Sequence, residues 1–167
     1  MSASGRPALP RGPLAILFAA VFVDMVGFGL VLPVLPLWAE EFGASPTVIG
    51  LLAASYAVAQ FAMAPVWGRL SDRFGRRPIL LVALAGSAIA ALAIGSAWAL
   101  WVLFAARILH GAAGASYAVA QAAIADLAAP EERAKYMGLI GAAFGLGFIA
   151  GPAIGAAAAT VDARLPF

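Results

Sequence analysis

Two charged residues interrupt long apolar stretches and are the first candidates for chemistry. Asp24 lies about ten residues into the first apolar stretch, and Arg107 about nine residues into the fourth. A helix rises ~1.5 Å per residue, which places both side chains roughly 15 Å deep, near the middle of a membrane. A charge at that depth is costly, so it usually faces a partner or a transport pathway. We expect Asp24 and Arg107 to face each other and Asp24 to bind and release a proton. The alternative is a purely structural pair.

Uncharged polar residues in the same stretches are candidates for contacts with a substrate. Gln60 and Gln121 are predicted to line a proton and substrate pathway with the two charges. His110 lies one helical turn from Arg107 and is expected to be a packing residue. Interhelical hydrogen bonds are expected for the remaining polar side chains, which are Tyr56, Tyr117, Ser55 and Ser116.

The segment "GRLSDRFGRRP" at residues 68–78 concentrates charge in a chain that is only 11% charged. Gly68 and Gly75 are predicted to form a sharp turn between two antiparallel helices. Asp72 is predicted to join a salt-bridge network with Arg76 and Asp126, one that holds one conformation and breaks in another. The alternative is a loop that only anchors the chain at the membrane surface. It explains the arginines, Arg73 and Arg77 among them, but not the acid.

Composition places most of the 167 residues in lipid. The chain is 64% hydrophobic, and its mean hydropathy is +0.99. A soluble domain carries about a quarter charged residues. The sequence has no cysteine and one histidine, so thiolate chemistry and histidine-rich metal clusters are excluded. No nucleophile–base pair or phosphate loop appears, so we expect neither an enzyme, nor a bound cofactor or metal, nor a nucleic-acid partner.

Five apolar spans are long enough to cross a bilayer. They are predicted at residues 14–38, 48–67, 79–96, 98–127 and 136–160, and the fourth is long enough to tilt or to extend past the bilayer. Small residues occur throughout, and they allow helices to pack closely in lipid. The predicted fold is an all-α, multi-pass membrane bundle. A barrel needs short alternating segments, which are absent, and a cleaved signal does not fit a first span containing Asp24.

The distribution of basic residues predicts the orientation. Eight Lys and Arg residues lie on one side of the membrane: two before the first span, four between spans two and three, and two between spans four and five. On the other side there is one, Arg164. The N-terminus is therefore expected in the cytoplasm, with residues 1–13 as a tail and residues 14–167 holding the spans. The expected location is the plasma or inner membrane.

The fifth span is rich in glycine and contains one proline. Gly147, Gly151 and Gly155 recur at four-residue intervals, and Pro152 follows the second of them. These residues predict close packing and a helix that bends when it moves against its neighbours.

Together these motifs resemble the major facilitator superfamily. "GRLSDRFGRRP" resembles the family's G-x-L-x-D-R-x-G-R-R loop between helices two and three, "RILHG" its helix-four motif, and "GFIAGPAIGA" its helix-five antiporter motif, with Ala156 replacing the last glycine. "DMVGFGLVLPVLP" is similar to helix one of the tetracycline exporters. The matching positions are Gly68, Leu70, Asp72, Arg73, Gly75, Arg76, Arg77, Arg107, Gly111, Gly147, Gly151, Pro152, Gly155, Asp24, Pro33 and Pro36.

The resemblance implies a twelve-helix, proton-coupled drug exporter of which this chain holds the first five helices. It implies alternation between inward- and outward-open states, with Asp72, Arg76 and Asp126 closing the cytoplasmic side and Asp72 also meeting the missing C-terminal half. The expected partners are the lipid bilayer, protons and a drug-like compound, with Mg²⁺ only as a chelate of that compound. Tetracycline exporters carry an acid midway along helix three, where this chain has Ala90.

Two alternatives remain open. The loop motif is shared across the superfamily, so a proton-coupled importer of a sugar or metabolite is one. The other is an inactive, truncated membrane protein.

Overall fold

The computed structural model describes residues 11–160, and helices account for nearly all of this range. The helices are α1 (Arg11–Glu41), α2 (Pro46–Phe74), α3 (Arg76–Gly95), α4 (Leu100–Ala113), α5 (Ser116–Leu127) and α6 (Pro130–Ala159). No strand occurs between residues 11 and 160. The prediction of an all-α fold is confirmed.

Five spans in this range are long and apolar enough to cross a membrane. Three are α1, α2 and α3, the fourth combines α4 and α5 over Leu100–Leu127, and the fifth is α6. Two helices extend well beyond a predicted limit: α2 continues to Phe74, and α6 already begins at Pro130. Most of the predicted tail at residues 1–13 lies outside the described part, and α1 already includes Arg11.

Local sequence sets the helix ends. Pro46 and Pro130 occupy the first turns of α2 and α6, where a missing N–H costs nothing. Glu131 and Glu132 follow in the first turn of α6 and complement its dipole. Gly75 is the single residue between α2 and α3, and its φ of 93° lies in the region that favours glycine.

The fourth span is broken rather than continuous. The helix is interrupted at Gly114 and Ala115 between α4 and α5, close to the middle of the span, where Gly114 has a ψ of 63°. The apolar pattern predicts one long span here and gives no sign of this break. The alanine-rich flanks contain no helix-breaking signal apart from glycine, and glycine is common inside membrane helices.

The buried residues form two apolar clusters with a polar layer between them. One cluster joins the first half of α1 to the start of α3, to α5 and to the start of α6. The other joins the second half of α1 to the start of α2, the end of α3 and α4. Five buried polar residues lie where the two clusters adjoin: Ser87, Arg107 and His110 fall between members of the two clusters along the chain, and Asp24 and Ser116 lie at the edge of the first cluster. We call these five residues the middle layer.

Helix α1 packs more extensively against α6 than any other pair of helices packs together. A Cβ atom on Gly151 would lie 2.6 Å from Gly29 Cα, and one on Gly155 would lie 2.8 Å from the Leu30 carbonyl oxygen. Gly147 meets Met25 in the same way. Their four-residue spacing puts the three glycines on one face of α6. This face allows the two backbones to touch, and α6 remains one helix through Pro152.

A methyl group at this contact should therefore destabilise the protein. We expect Gly151→Ala to lower the free energy of unfolding by about 1–3 kcal/mol, because the added carbon overlaps the α1 backbone. Gly141→Ala on the same helix is the control, since a Cβ there has nothing within 4 Å. The control should be neutral or stabilising by up to about 1 kcal/mol. Unfolding in mixed micelles measures both, and equal effects would contradict the packing role.

Candidate functional site

The carboxylate of Asp24 is buried in the middle layer and accepts two hydrogen bonds. Ser87 Oγ on α3 donates to Oδ1 over 2.8 Å, and Ser116 Oγ on α5 donates to Oδ2. Asp24 is 5% exposed. An ionised carboxylate only accepts hydrogen bonds, so two hydroxyl donors suit its charged form.

The guanidinium of Arg107 is held by aromatic rings. Its Cζ atom lies 4.7 Å from the ring centroid of Tyr56 and 5.6 Å from that of Phe28. The Nε and Nη1 atoms have no hydrogen-bond partner among the described residues, although the side chain is 1% exposed. Cation–π contacts gain strength away from water, so they are the main interaction of this buried charge.

Asp24 and Arg107 share the middle layer, but they do not pair. The described residues form no salt bridge between them, which argues against a structural ion pair, and the proton-binding role of Asp24 stays a prediction. The reason is local, because each group already has other partners: serines for the acid and rings for the base. Depth along the helices could be read from the sequence, whereas the direction of each side chain depends on packing.

Gln60 braces the break in the fourth span. Its Nε2 atom donates to the Gly114 carbonyl oxygen over 3.0 Å and to the Tyr56 hydroxyl over 3.2 Å. Trp67 Nε1 donates to the Ala112 carbonyl oxygen over 2.5 Å. A broken helix leaves carbonyls without intrahelical donors, and lipid offers none. The structure thus gives Gln60 a definite partner at the break.

Gln121 lies on a different surface. It is half-buried on α5, one turn after Tyr117, and its amide makes no hydrogen bond to another described residue. Tyr117 begins a row of rings that continues through Phe144, Phe148 and Phe28 at centroid separations of 5.3, 6.1 and 6.1 Å. Gln60 and Gln121, predicted together, are therefore not brought together.

The predicted network at the arginine-rich end is present. Arg76 Nη2 lies 2.7 Å from Asp72 Oδ1 and 2.7 Å from Asp126 Oδ2. Its Nε donates to Asp126 Oδ2 over 3.1 Å, and its Nη1 donates to Ser71 Oγ. One guanidinium therefore joins the ends of α2, α3 and α5.

The glycines of the same motif differ from each other. Gly75 forms the turn, whereas Gly68 lies inside α2, where a Cβ atom would have nothing within 4 Å, so its predicted place in the turn is wrong. Leu70 packs against the first apolar cluster, and α2 stays helical past it to Phe74. Arg73 stacks over Phe74 at 5.3 Å, and Arg77 is exposed.

The sequence of the chain matches that of a transporter family over most of its length. The profile described as Major Facilitator Superfamily matches residues 17–167. The chain belongs to the major facilitator superfamily. Its members are transporters, so the predictions of the family, of the multi-pass helical fold and of a protein that is not an enzyme are confirmed.

Several relatives in the superfamily are similar to this chain. The class B tetracycline resistance protein of Escherichia coli is 44% identical over 91% of this chain and 39% of its own length. Multidrug resistance protein 1 of Bacillus subtilis is 36% identical over 92% of this chain and 40% of its own length. The crystal structure of the human organic anion transporter MFSD10 (TETRAN) superimposes with a TM-score of 0.79 at 28% identity, covering 93% of this chain and 43% of that one. The chain thus spans about two fifths of the length of the curated relatives it matches.

Three site residues are absent from those predicted from the sequence: Ser87, Phe28 and Trp67. Ser87 carries a signal that could have found it, because it is a polar residue in the apolar run of α3, one turn before the buried Ala90. Phe28 and Trp67 carry none, since aromatic residues in membrane spans are common and the partners of these two come from other helices.

The bracing role of Gln60 is testable against Gln121. We expect Gln60→Leu to lower the free energy of unfolding by about 1–2 kcal/mol, because it leaves the Gly114 carbonyl without its donor. Gln121→Leu, which removes no described hydrogen bond, should change it by less than roughly 0.5 kcal/mol. Unfolding in mixed micelles compares the two, and an equal loss in both would contradict the brace.

A double-mutant cycle tests the arginine-rich network. Arg76→Gln and Asp126→Asn should show a coupling of about 0.5–1 kcal/mol, a modest value because Asp126 is exposed. The matched cycle of Arg77→Gln with Asp126→Asn should show none, since Arg77 forms no ion pair with a described residue. Thermal unfolding of the variants gives both couplings. Comparable values in the two cycles would refute a specific contact with Arg76.

Proposed function

We propose that this protein is a proton-coupled antiporter that exports a drug-like or tetracycline-like compound by alternating access. The observation that carries the proposal is Asp24, a carboxylate buried in the middle of a membrane bundle and bonded only to neutral hydroxyls. A carboxylate in that position can take up a proton without losing a salt bridge. Relatives named for tetracycline and multidrug resistance support the direction and the class of substrate.

In this proposal the middle layer carries the proton and the neighbouring surface carries the compound. Asp24 binds and releases the proton, and Arg107 supplies a nearby positive charge that responds to it. Gln121 offers hydrogen bonds to the compound, and the row of rings beside it offers stacking contacts. In this row, Phe144 and Phe148 are about two fifths exposed. Mg²⁺ enters only as a chelate of that compound.

The two ends of the bundle have different roles in this proposal. The arginine-rich end faces the cytoplasm, with the N-terminus on the same side of the plasma or inner membrane. There the contacts of Arg76 with Asp72 and Asp126 stabilise a state closed to the cytoplasm, and a second half of the transporter completes the closure. The glycine face of α6 lets α1 and α6 remain in contact while the halves move.

Vesicle transport tests the proton role. In inside-out vesicles holding the full-length gene product and an acidic interior, we expect an added drug, tetracycline with Mg²⁺ among them, to trigger proton efflux. Asp24→Asn should abolish this efflux, because an amide cannot carry the proton. Glu40→Gln, which neutralises an exposed acid at the far end of the same helix, is the control and should retain it.

Two outcomes would count against antiport. Efflux that persists in Asp24→Asn would remove the proton role from this residue. No efflux with any drug, from wild-type protein shown to be folded, would favour metabolite transport or an inactive relative.

A further inference from the structure

We propose that the broken fourth span supplies the electrostatic partner of Asp24: Ser116 and the N-terminus of α5 stabilise the ionised carboxylate in place of a cationic side chain. This inference rests on the proton role given to Asp24 above. It assigns a positioning function to the break at Gly114 and Ala115, which the apolar pattern of the sequence does not predict. It also accounts for a buried Asp24 that forms no salt bridge with Arg107.

The break creates a helix N-terminus in the middle of the bundle. Helix α5 begins at Ser116, and its first backbone hydrogen bond runs from the Val119 amide to the Ala115 carbonyl over 3.0 Å. The amides of Ser116, Tyr117 and Ala118 therefore have no acceptor within the helix. They carry the positive end of the helix dipole, equivalent to roughly half an elementary charge.

Asp24 lies beside this terminus. Ser116 is the first residue of α5, is 1% exposed, and bonds through its hydroxyl to Oδ2 of the acid. Anions are stabilised at helix N-termini, and more strongly where water is absent. Ser87 donates to the other oxygen from the unbroken helix α3, so the two serines differ in one respect: only Ser116 belongs to a free helix end.

Helix α2 supplies donors to the carbonyl side of the break. Gln60 donates to the Gly114 carbonyl and Trp67 to the Ala112 carbonyl, so two of the acceptors at the break are bonded from α2. Gly111 meets the Tyr56 backbone directly, which fixes α4 against α2 at this level. The break is therefore held in place from α2, and helix α5 begins at the residue whose hydroxyl bonds to Asp24.

Among the described residues, no cationic side chain forms a salt bridge with Asp24. Helix α4 contributes Arg107, which lies over two rings, and His110, whose Nδ1 has no described partner. Helix α2 contributes Tyr56, whose ring faces the Arg107 guanidinium and whose hydroxyl accepts a hydrogen bond from Gln60. Helix α6 meets this part of α1 through Gly147, which has no ionisable side chain.

Infrared titration of the full-length gene product measures the protonation of Asp24 without requiring transport. The carboxyl band is assigned by its loss in Asp24→Asn. We expect Ser116→Ala to move the midpoint of the titration to higher pH by about one to two units, a ten- to hundredfold rise in proton affinity, since a hydrogen bond to the charged form is lost. Ser87→Ala should move it in the same direction. Ser55→Ala, whose hydroxyl bonds to the Leu52 carbonyl, is the matched control and should leave the midpoint unchanged.

A second measurement uses the unaltered protein and separates the helix end from the hydroxyl. With ¹⁵N-labelled tyrosine, the amide resonance of Tyr117, assigned by its loss in Tyr117→Phe, should titrate with the midpoint of Asp24. The amide of Tyr136, within α6, should not follow it.

The two measurements distinguish failure of this inference from failure of the proposed function. A Ser116→Ala midpoint equal to that of wild type, or a Tyr117 amide that does not follow Asp24, overturns the inference. Shifts as predicted, in a protein that shows no drug-triggered proton efflux, support the inference and reject the proposed function instead.

Discussion

The middle layer depends on burying a carboxylate where lipid offers no hydrogen bonds. A polar group at that depth is costly unless it finds a partner inside the protein. Asp24 takes two hydroxyls from two helices, Arg107 takes two ring faces, and the carbonyls freed by the broken span take side-chain donors from α2. Helices α1 to α5 therefore meet around one polar centre, and the apolar clusters on either side hold them in that arrangement.

Close backbone contact makes this arrangement possible. Lipid tails are as apolar as leucine, so helices in a membrane gain little by hiding apolar side chains from it and associate through close packing instead. The glycines of α6 let it touch α1, and Gly111 lets α4 touch α2. These two contacts bring both sides of the middle layer within hydrogen-bonding reach. Large apolar side chains lie on the outside of the bundle, such as Phe61, which is 84% exposed.

The arginine-rich end follows a different rule. There Arg76 is shared between two exposed carboxylates, and water competes for each contact. Such a network contributes little to stability, so it can form and break as the ends of α2, α3 and α5 move. The middle layer has no such access to water, and a change of charge there must be accommodated by its protein partners. The chain thus combines a weak, water-exposed network of ion pairs at its surface with a buried polar network at its centre that depends on protein partners.

The sequence by itself determined the fold class, the five spans and the contact of Asp72 with Arg76, and it predicts a similar depth for Asp24 and Arg107. Hydropathy and helical rise operate along the chain, and a motif within one turn brings its residues together locally. Only the tertiary structure decided that Asp24 bonds to Ser87 and Ser116, that Arg107 lies over Phe28 and Tyr56, and that Gln60 braces the break at Gly114. These partners lie on different helices, and the rotation of each helix about its axis is fixed by packing against all its neighbours at once.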